Sequence, residues 1–97
     1  MTDVVWYPGL TVLMDPNSVE DVYQDWTGWL EGETFHSDLP PVIIDVANLT
    51  SAINTITGNV LRIRVSAPTD PAHFTVRATS SSGRVTDRTT YIQAQQL

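Results

Sequence analysis

Two stretches near the C-terminal end alternate apolar and polar residues, and this alternation constrains the fold more than any other feature. The first is VLRIRVS at residues 60–66, and HFTVRATS at residues 73–80 repeats the pattern. A period of two is typical of a β-strand with one buried side and one solvent-facing side. In the second stretch Phe74, Val76 and Ala78 share the predicted buried side. Both stretches are therefore predicted to be strands that cover a core.

A turn signal follows the second stretch. The sequence SSSGR at residues 80–84 is centred on Gly83, where a positive φ angle costs little. After it, TDRTTYIQAQ at residues 86–95 is rich in threonine, aromatic and β-branched residues, which favour strands. The sequence therefore predicts a β-hairpin whose tip is about four or five residues long.

Upstream, the strand signals are weaker. LTVLM at residues 10–14 and VIIDV at residues 42–46 are short β-prone runs flanked by prolines, which are barred from the centre of a sheet. NLTSAINTITGN at residues 48–59 fits either a loop or one weak strand that ends at a Gly58-Asn59 turn.

The stretch VYQDWTGWLEG at residues 22–32 is ambiguous. Val22, Trp26 and Leu30 fall at helical spacing, whereas Val22, Gln24 and Trp26 also alternate as in a strand. Two glycines interrupt a helix early, and the tyrosine, tryptophan, valine and threonine content favours a strand. From the residues alone, both alternatives stay open.

Charge is unevenly distributed along the chain. The net charge is −6, there is no lysine, and all five basic residues are arginine. Residues 1–50 contain nine acids and no base, while residues 51–97 contain five arginines and two acids, so the halves carry −9 and +3. An acidic surface repels phosphate, so free nucleic acid is not expected as a partner. Either strands of the two halves interleave and pair their charges, or opposite faces dock against copies of the chain or a neighbour.

Size and composition predict one domain without disulfides. A chain of 97 residues can bury one core. It has no cysteine, which excludes disulfides and thiolate zinc sites. The stretch MTDVVWYPGL lacks the basic region and long apolar run of a signal peptide, and no apolar run approaches the roughly 20 residues that cross a bilayer. We expect neither a cofactor nor a membrane partner.

No catalytic or metal-binding pattern stands out. Aspartic proteases of the retroviral type need Asp followed at once by Thr-Gly, but Trp26 separates Asp25 from that step. The SSSG stretch lacks the Gly-x-Ser-x-Gly frame of a nucleophile elbow. His36, Asp38 and His73 could supply metal ligands, yet such isolated histidines are usually loop residues. The sequence predicts neither an enzyme nor a metal site.

Two segments carry an ordered set of short motifs: DPNSVEDVYQDWTGWLEGETF at residues 15–35 and FTVRATSSSGRVTDRTTYIQA at residues 74–94. The motifs are Asp-Pro, Asp-Trp, Trp-Leu, a Gly-acid-Thr-apolar step and a Thr-Ser run that ends in Gly-Arg. Their order resembles a family of small tailed-bacteriophage virion proteins. The resemblance implies an immunoglobulin-like β-sandwich that serves as a fibre–tail adaptor, neck or capsid-associated protein. It carries over framework positions and no catalytic residue: Asp25, Trp26, Trp29, Leu30, Gly32, Thr34, Gly83 and Arg84.

We therefore expect an all-β fold, an immunoglobulin-like antiparallel β-sandwich of about seven short strands. Residues 1–14 would form an N-terminal arm that contains the first strand, and residues 15–97 the sandwich domain. In that fold Trp26 would lie in a central strand and fill the core, while Asp25 would point to solvent or to an arginine such as Arg77 or Arg88. The predicted core residues are Trp26, Trp29, Leu30, Phe74, Val76 and Ile92.

The expected function is that of a non-enzymatic bacteriophage virion protein, an adaptor or decoration subunit. It would join tail, neck, fibre or capsid parts by protein–protein contact, in multiple copies, and be assembled in the cytoplasm of the bacterial host. The alternative is a carbohydrate-binding module with a stacking platform of aromatic side chains: Trp6, Tyr7, Trp26, Trp29 and Tyr91.

Two candidate interfaces lie at the extremities of the chain. Val5, Trp6 and Tyr7 belong to an apolar N-terminal segment, and apolar clusters with Trp and Tyr are typical of interfaces. The same segment could instead fold back as an edge strand of its own sandwich. Ser81, Ser82, Gly83 and Arg84 form the hairpin tip, where Arg84 would bind a carboxylate of a partner.

Overall fold

The computed structural model describes residues 11–96 and, for the backbone, residues 4–6. In this part of the chain eight strands form two four-stranded sheets. The elements are β1 (Val4–Trp6), β2 (Thr11–Met14), β3 (Val19–Asp25), α1 (Thr27–Leu30), β4 (Val42–Ala47), β5 (Thr50–Thr57), β6 (Val60–Ser66), β7 (Ala72–Thr79) and β8 (Val85–Ala94). Sheet 1 has the order β1-β3-β6-β5, and sheet 2 has the order β2-β8-β7-β4. The expected all-β sandwich of about seven short strands is confirmed; its immunoglobulin-like subtype stays a prediction.

The sandwich is not wholly antiparallel, which corrects the expectation. β1 pairs with β3 in parallel, and β2 pairs with β8 in parallel. Parallel neighbours need a long connection between them. Residues 7–18 form this long connection between β1 and β3. The segment includes β2, which lies in the opposite sheet. Most of the chain separates β2 from β8. All other pairs are antiparallel.

The predicted hairpin is confirmed. β7 and β8 pair from Ala72, which lies opposite Ile92, to Thr79, which lies opposite Val85. The tip connects the two strands after Thr79. The open alternatives for residues 48–59 are resolved as a strand, since β5 pairs with β6 along its length. Only two residues connect β5 to β6, and the first is Gly58 at φ +58°. Glycine at that position is typical of a type II′ hairpin turn.

The ambiguous stretch 22–32 contains both alternatives in succession. β3 ends at Asp25, and one helical turn begins at Thr27. Asp25 Oδ1 accepts hydrogen bonds from Thr27 N at 2.9 Å and from Thr27 Oγ1 at 2.6 Å, an Asx-type turn that ends the strand. Glu31 and Gly32, both at positive φ, end the helix. The expectation that Trp26 lies within a central strand is therefore wrong, because Asp25 bends the chain just before it.

The core lies between the two sheets. All six predicted core residues belong to it or pack against it: five are fully or almost fully buried, and Trp29 is half-buried at its margin. The Trp26 ring contacts Trp29 and Phe35 edge to face, with centroids 5.5 Å and 6.4 Å away. Additional buried residues come from β2, β3, β6 and β7: Val12, Met14, Val22, Leu61, Ile63, Val65, Ala72 and Ala78.

One buried polar chain links the two sheets through the core. Trp26 Nε1 donates to Gln24 Oε1 at 3.1 Å, and Gln24 Nε2 donates to Thr90 Oγ1 at 2.9 Å. Gln24 lies on β3 of sheet 1 and Thr90 on β8 of sheet 2, and all three side chains are 0% exposed. Because each of these buried polar groups has a partner, the chain avoids the cost of an unsatisfied group.

Candidate interaction surface

The hairpin tip is fastened to the turn that follows α1. Arg84 Nη2 and Nε donate to Glu33 Oε2 at 2.6 Å and 3.0 Å. Arg84 Nη2 also lies 3.1 Å from the carbonyl oxygens of both Trp29 and Leu30, and the guanidinium carbon is 4.8 Å from the centroid of the Trp29 ring. Charge-assisted pairing and cation–π contact together fix this arginine.

Glu33 holds the tip from its other carboxylate oxygen as well. Oε1 accepts from Ser82 N at 2.9 Å and from Ser81 Oγ at 3.3 Å. The hydrogen bonds from Ser82 and Arg84 lower the pKa of Glu33 to about 2. Within the tip, Ser80 Oγ accepts from Arg84 N at 3.1 Å, and Gly83 takes φ +95°. The tip is therefore a turn that these contacts fasten to the segment after α1.

The predicted tip residues are exposed, but Arg84 does not have the geometry expected for it. Ser81, Ser82, Gly83 and Arg84 are all exposed. Sequence reasoning assigned Arg84 to a carboxylate of a partner, whereas here it binds Glu33 of its own chain. The acid lies 51 residues away, so sequence spacing alone could not identify the pair. Contact of the tip with a partner stays a prediction.

Only two of the three N-terminal interface candidates belong to the described residues. Val5 and Trp6 lie in β1, opposite Tyr23 and Gln24 of β3, and Tyr7 lies outside the described residues. β1 is an edge strand, as the fold-back alternative proposed. The predicted arm also extends into the core, since its last residue Met14 belongs to β2 and is 1% exposed.

A groove missed by the sequence reasoning lies beside the tip. It has a volume of about 590 Å³ and crosses β4, β7 and β8 on sheet 2. Its apolar lining includes Leu39, Val42 and Val85, which are 56%, 50% and 56% exposed. Arg77 and Asp87 also line the groove and pair with each other at 2.8 Å. The exposed Asp38 also lines the groove. Val42, which lines this part of the groove, was visible in the sequence within the run VIIDV. Sequence alternation does not show, however, which strand will lie at an exposed edge of a sheet.

The apolar surface continues along sheet 2. Nine large apolar side chains are exposed among residues 11–96, and six of them lie on strands of sheet 2. These six are Leu13, Val42, Ile44, Val46, Val85 and Tyr91. Exposed apolar side chains that are concentrated on one sheet indicate an interaction site.

The arginines show how the uneven charge is resolved. Asp21 of β3 is 1% exposed and accepts from both Arg62 and Arg64 of the neighbouring β6, at 2.6 Å and 3.0 Å. These two arginines lower the pKa of Asp21 to about 2. Arg88 donates to the Asp25 carbonyl at 3.2 Å, and its guanidinium lies 4.1 Å from the Trp26 ring centroid. Interleaved strands thus pair the basic half with the acidic half, as the first explanation proposed.

A family comparison matches the protein over the same part of the chain. The matched family is described as "Podophage GP4 fiber-tail adaptor protein gp77", and its model covers residues 14–93. The chain belongs to this fibre–tail adaptor family. A comparison with curated proteins found no match, and neither did one with solved structures.

Membership of the adaptor family confirms the expected function class. The chain is a podophage fibre–tail adaptor, a non-enzymatic structural protein of the virion. An adaptor between fibre and tail contacts other virion proteins. No helix in the described part of the chain is long and apolar enough to cross a membrane.

Within residues 11–96, the two tryptophans of the platform that motivated the carbohydrate alternative are not free for stacking. Trp26 is 0% exposed, and Trp29 is half-buried with Arg84 over its ring. Tyr91 is exposed on sheet 2, where it contacts His73 at 6.1 Å between ring centroids. A sugar cannot stack on a fully buried ring, so the paired tryptophans serve the core.

The candidate metal ligands are engaged in local contacts. His36 Nδ1 accepts from Asp38 N at 3.1 Å, and His73 Nε2 lies 2.9 Å from Asp45 Oδ2. Among residues 11–96, no three histidine or acidic side chains are grouped as metal ligands would be.

Proposed function

We propose that the adaptor joins fibre and tail proteins through sheet 2 and the neighbouring hairpin tip, and that several copies are present in each particle. This proposal adds the contact surface and the multiplicity to the family assignment. The observation that carries it is the concentration of exposed apolar side chains on sheet 2. Burying such side chains against a partner contributes about 25 cal/mol per Å² of apolar surface.

The fixed tip supports the same surface. Glu33 and Arg84 hold residues 80–84 in one conformation before any partner binds, and Thr79 and Val85, which flank the tip, line the groove. Surfaces that are ordered in advance lose less conformational entropy on binding. We therefore place Ser81 and Ser82 at the rim of the contact surface.

The N-terminal segment supports a second contact region. β1 is the edge strand of sheet 1, on the opposite side of the sandwich from the groove. An edge strand has an open row of backbone donors and acceptors that another chain can pair with. An adaptor needs separate regions for its two neighbours, and we assign Val5 and Trp6 of β1 to the region away from sheet 2.

The test is complementation of a phage that lacks the gene for this chain. Particles made without the chain should carry tails but lack fibres in electron micrographs, and the parent chain supplied in trans should restore them. Val85→Asp should fail to restore fibres, because it places a charge in a desolvated contact. Ile56→Asp is the matched control, since Ile56 is 43% exposed on β5 of the other sheet.

Three results bear on the proposal. Quantitative mass spectrometry of restored particles should give several copies of the chain per particle. Fibres on particles that lack the chain would contradict the adaptor role. If Val85→Asp restores fibres as well as Ile56→Asp while both melt like the parent, then sheet 2 is not the contact surface.

A further inference from the structure

The arginines leave the adaptor without an unengaged basic side chain. Each is bonded to its own chain: Arg62 and Arg64 to Asp21, Arg77 to Asp87, Arg84 to Glu33 and Arg88 to the Asp25 backbone. The chain contains no lysine. A neighbour that presents acidic side chains would therefore meet only arginines that are already engaged by groups of this chain.

The groove on sheet 2 has the opposite character. Its apolar lining is formed by Leu39, Val42 and Val85. Arg77 and Asp87 neutralise each other, with Nε and Nη2 of the arginine 2.8 Å and 3.0 Å from the two carboxylate oxygens. This leaves Asp38 as the net charge of the groove. Among the described residues the exposed Asp38 carboxylate takes part in no ion pair.

Taking the proposed function as given, we infer that the groove binds a segment of a different virion protein in which an apolar side chain lies next to a lysine or arginine. The apolar side chain enters between Leu39, Val42 and Val85, and the cation reaches Asp38. Opposite charges at the rim of an interface set register and exclude wrong partners.

A second copy of the chain does not fit this groove. It would have to supply the cation from an arginine that already binds its own carboxylate or backbone. Two copies would also bring together two chains that each carry a net charge of −6, and like charges repel across an interface. The partner chemistry is therefore a basic, apolar segment of another chain.

Charge reversal at Asp38 tests the cation. In trans-complemented particles, Asp38→Lys should lower the number of incorporated copies about tenfold or more, since like-charge contacts cost several kcal/mol and about 1.4 kcal/mol is a factor of ten. Glu31→Lys is the control with the same change in charge, because Glu31 is exposed and does not line the groove. It should incorporate to within about twofold of the parent, as isolated surface charges usually matter little.

Photo-crosslinking tests the identity of the occupant. A photoreactive amino acid in place of Leu39 should crosslink, within assembled particles, to a different virion protein, at a segment with a lysine or arginine beside an apolar residue. The same amino acid in place of Ile56 is the control and should not crosslink to that segment.

Each other result overturns the inference. If Asp38→Lys is incorporated at the parental level, the charge of Asp38 does not contribute to partner binding. If Asp38→Lys melts early, Asp38→Asn replaces it, and parental incorporation of that variant counts in the same way. A crosslink from position 39 to another copy, or to a segment without a basic residue, would assign the groove to another occupant. Fibre loss in particles without the gene is scored separately, so the adaptor role can stand if the groove assignment fails.

Discussion

Replacing Trp26 with phenylalanine tests whether the buried polar chain specifies this core. The substitution keeps an aromatic ring among Trp29, Phe35 and Arg88 but removes the indole N–H. Gln24 Oε1 then loses its donor in a site that is 0% exposed.

The magnitude follows from two contributions. A buried acceptor without a partner costs about 1–3 kcal/mol. The smaller ring leaves space that the rigid sandwich fills only in part, which we put at about 1–2 kcal/mol, below the range for truncating an aromatic to alanine. Trp26→Phe should therefore lower the free energy of unfolding by about 2–5 kcal/mol, out of the roughly 5–15 kcal/mol typical of such a domain. Trp26→Ala should lose about 3–5 kcal/mol, the range for truncating a core aromatic side chain to alanine.

Urea unfolding followed by circular dichroism measures these changes, with a constant m-value as the check that the denatured state is unaffected. A double-mutant cycle with Gln24→Met isolates the hydrogen bond, because the double variant removes both partners. The two substitutions should be non-additive by about 0.5–3 kcal/mol, the range for residues in contact. Additive costs, or a Trp26→Phe variant as stable as the parent, would refute the argument that this hydrogen bond stabilises the core.

Two further predictions concern charge and turns. The folded pKa values of Asp21 and Glu33 are lowered to about 2, so the contribution of each carboxylate to stability is present above its unfolded pKa and is lost as the pH falls. Thermal melts should therefore show stability falling between about pH 5 and pH 2, and less steeply in Asp21→Asn. The same slope in Asp21→Asn as in the parent would contradict this prediction. Gly83→Ala should lower the free energy of unfolding by about 1–2 kcal/mol, because φ is +95° although no atom lies near the added Cβ. Gly28→Ala, on the helical turn and also without a close atom, should raise it by about 0.4–1 kcal/mol. Equal effects of the two substitutions in chemical unfolding would contradict the assignment of strain to Gly83.

The strands that could be predicted are those with one face in the core. In β6, Leu61, Ile63 and Val65 are 0% exposed and the arginines between them face outward, so a period of two was visible in the sequence. β5 is an edge strand on which Ile53 packs against the core only in part. It therefore had no clear alternation, and its sequence fitted a loop equally well.

The stretch around Trp26 could not be assigned because two elements share it. Val22 and Gln24 alternate as part of β3, while Leu30 belongs to the helical turn. Periodicity measured across the whole stretch mixes the two patterns. The change occurs at Asp25, whose side chain bonds Thr27 two residues on. An Asx turn is a local signal that was present in the sequence as Asp-Trp-Thr-Gly.

The groove was beyond sequence reasoning for a different physical reason. Val42 opens a short β-prone run, and its sequence does not show that β4 lies at the edge of sheet 2 or that its register shifts between Ile43 and Asp45. Such a bulge turns side chains away from regular alternation. Val42 and Ile44 are exposed while Ile43 between them packs against the core, but after the bulge Asp45 and Val46 are both exposed. Edge position and bulge are properties of the assembled sheet, and a single chain segment does not contain them.

The placement of the arginines connects the fold with the adaptor's surface. Arg62, Arg64 and Arg84 all reach acids from the first half of the chain. Because the basic half is used in this way, the charge left on the outside is mainly acidic. Attraction to neighbours then depends on apolar contact and on cations that the neighbours supply. The same pairing that resolves the charge asymmetry inside the domain thus restricts the chemistry of the proteins to which it can bind.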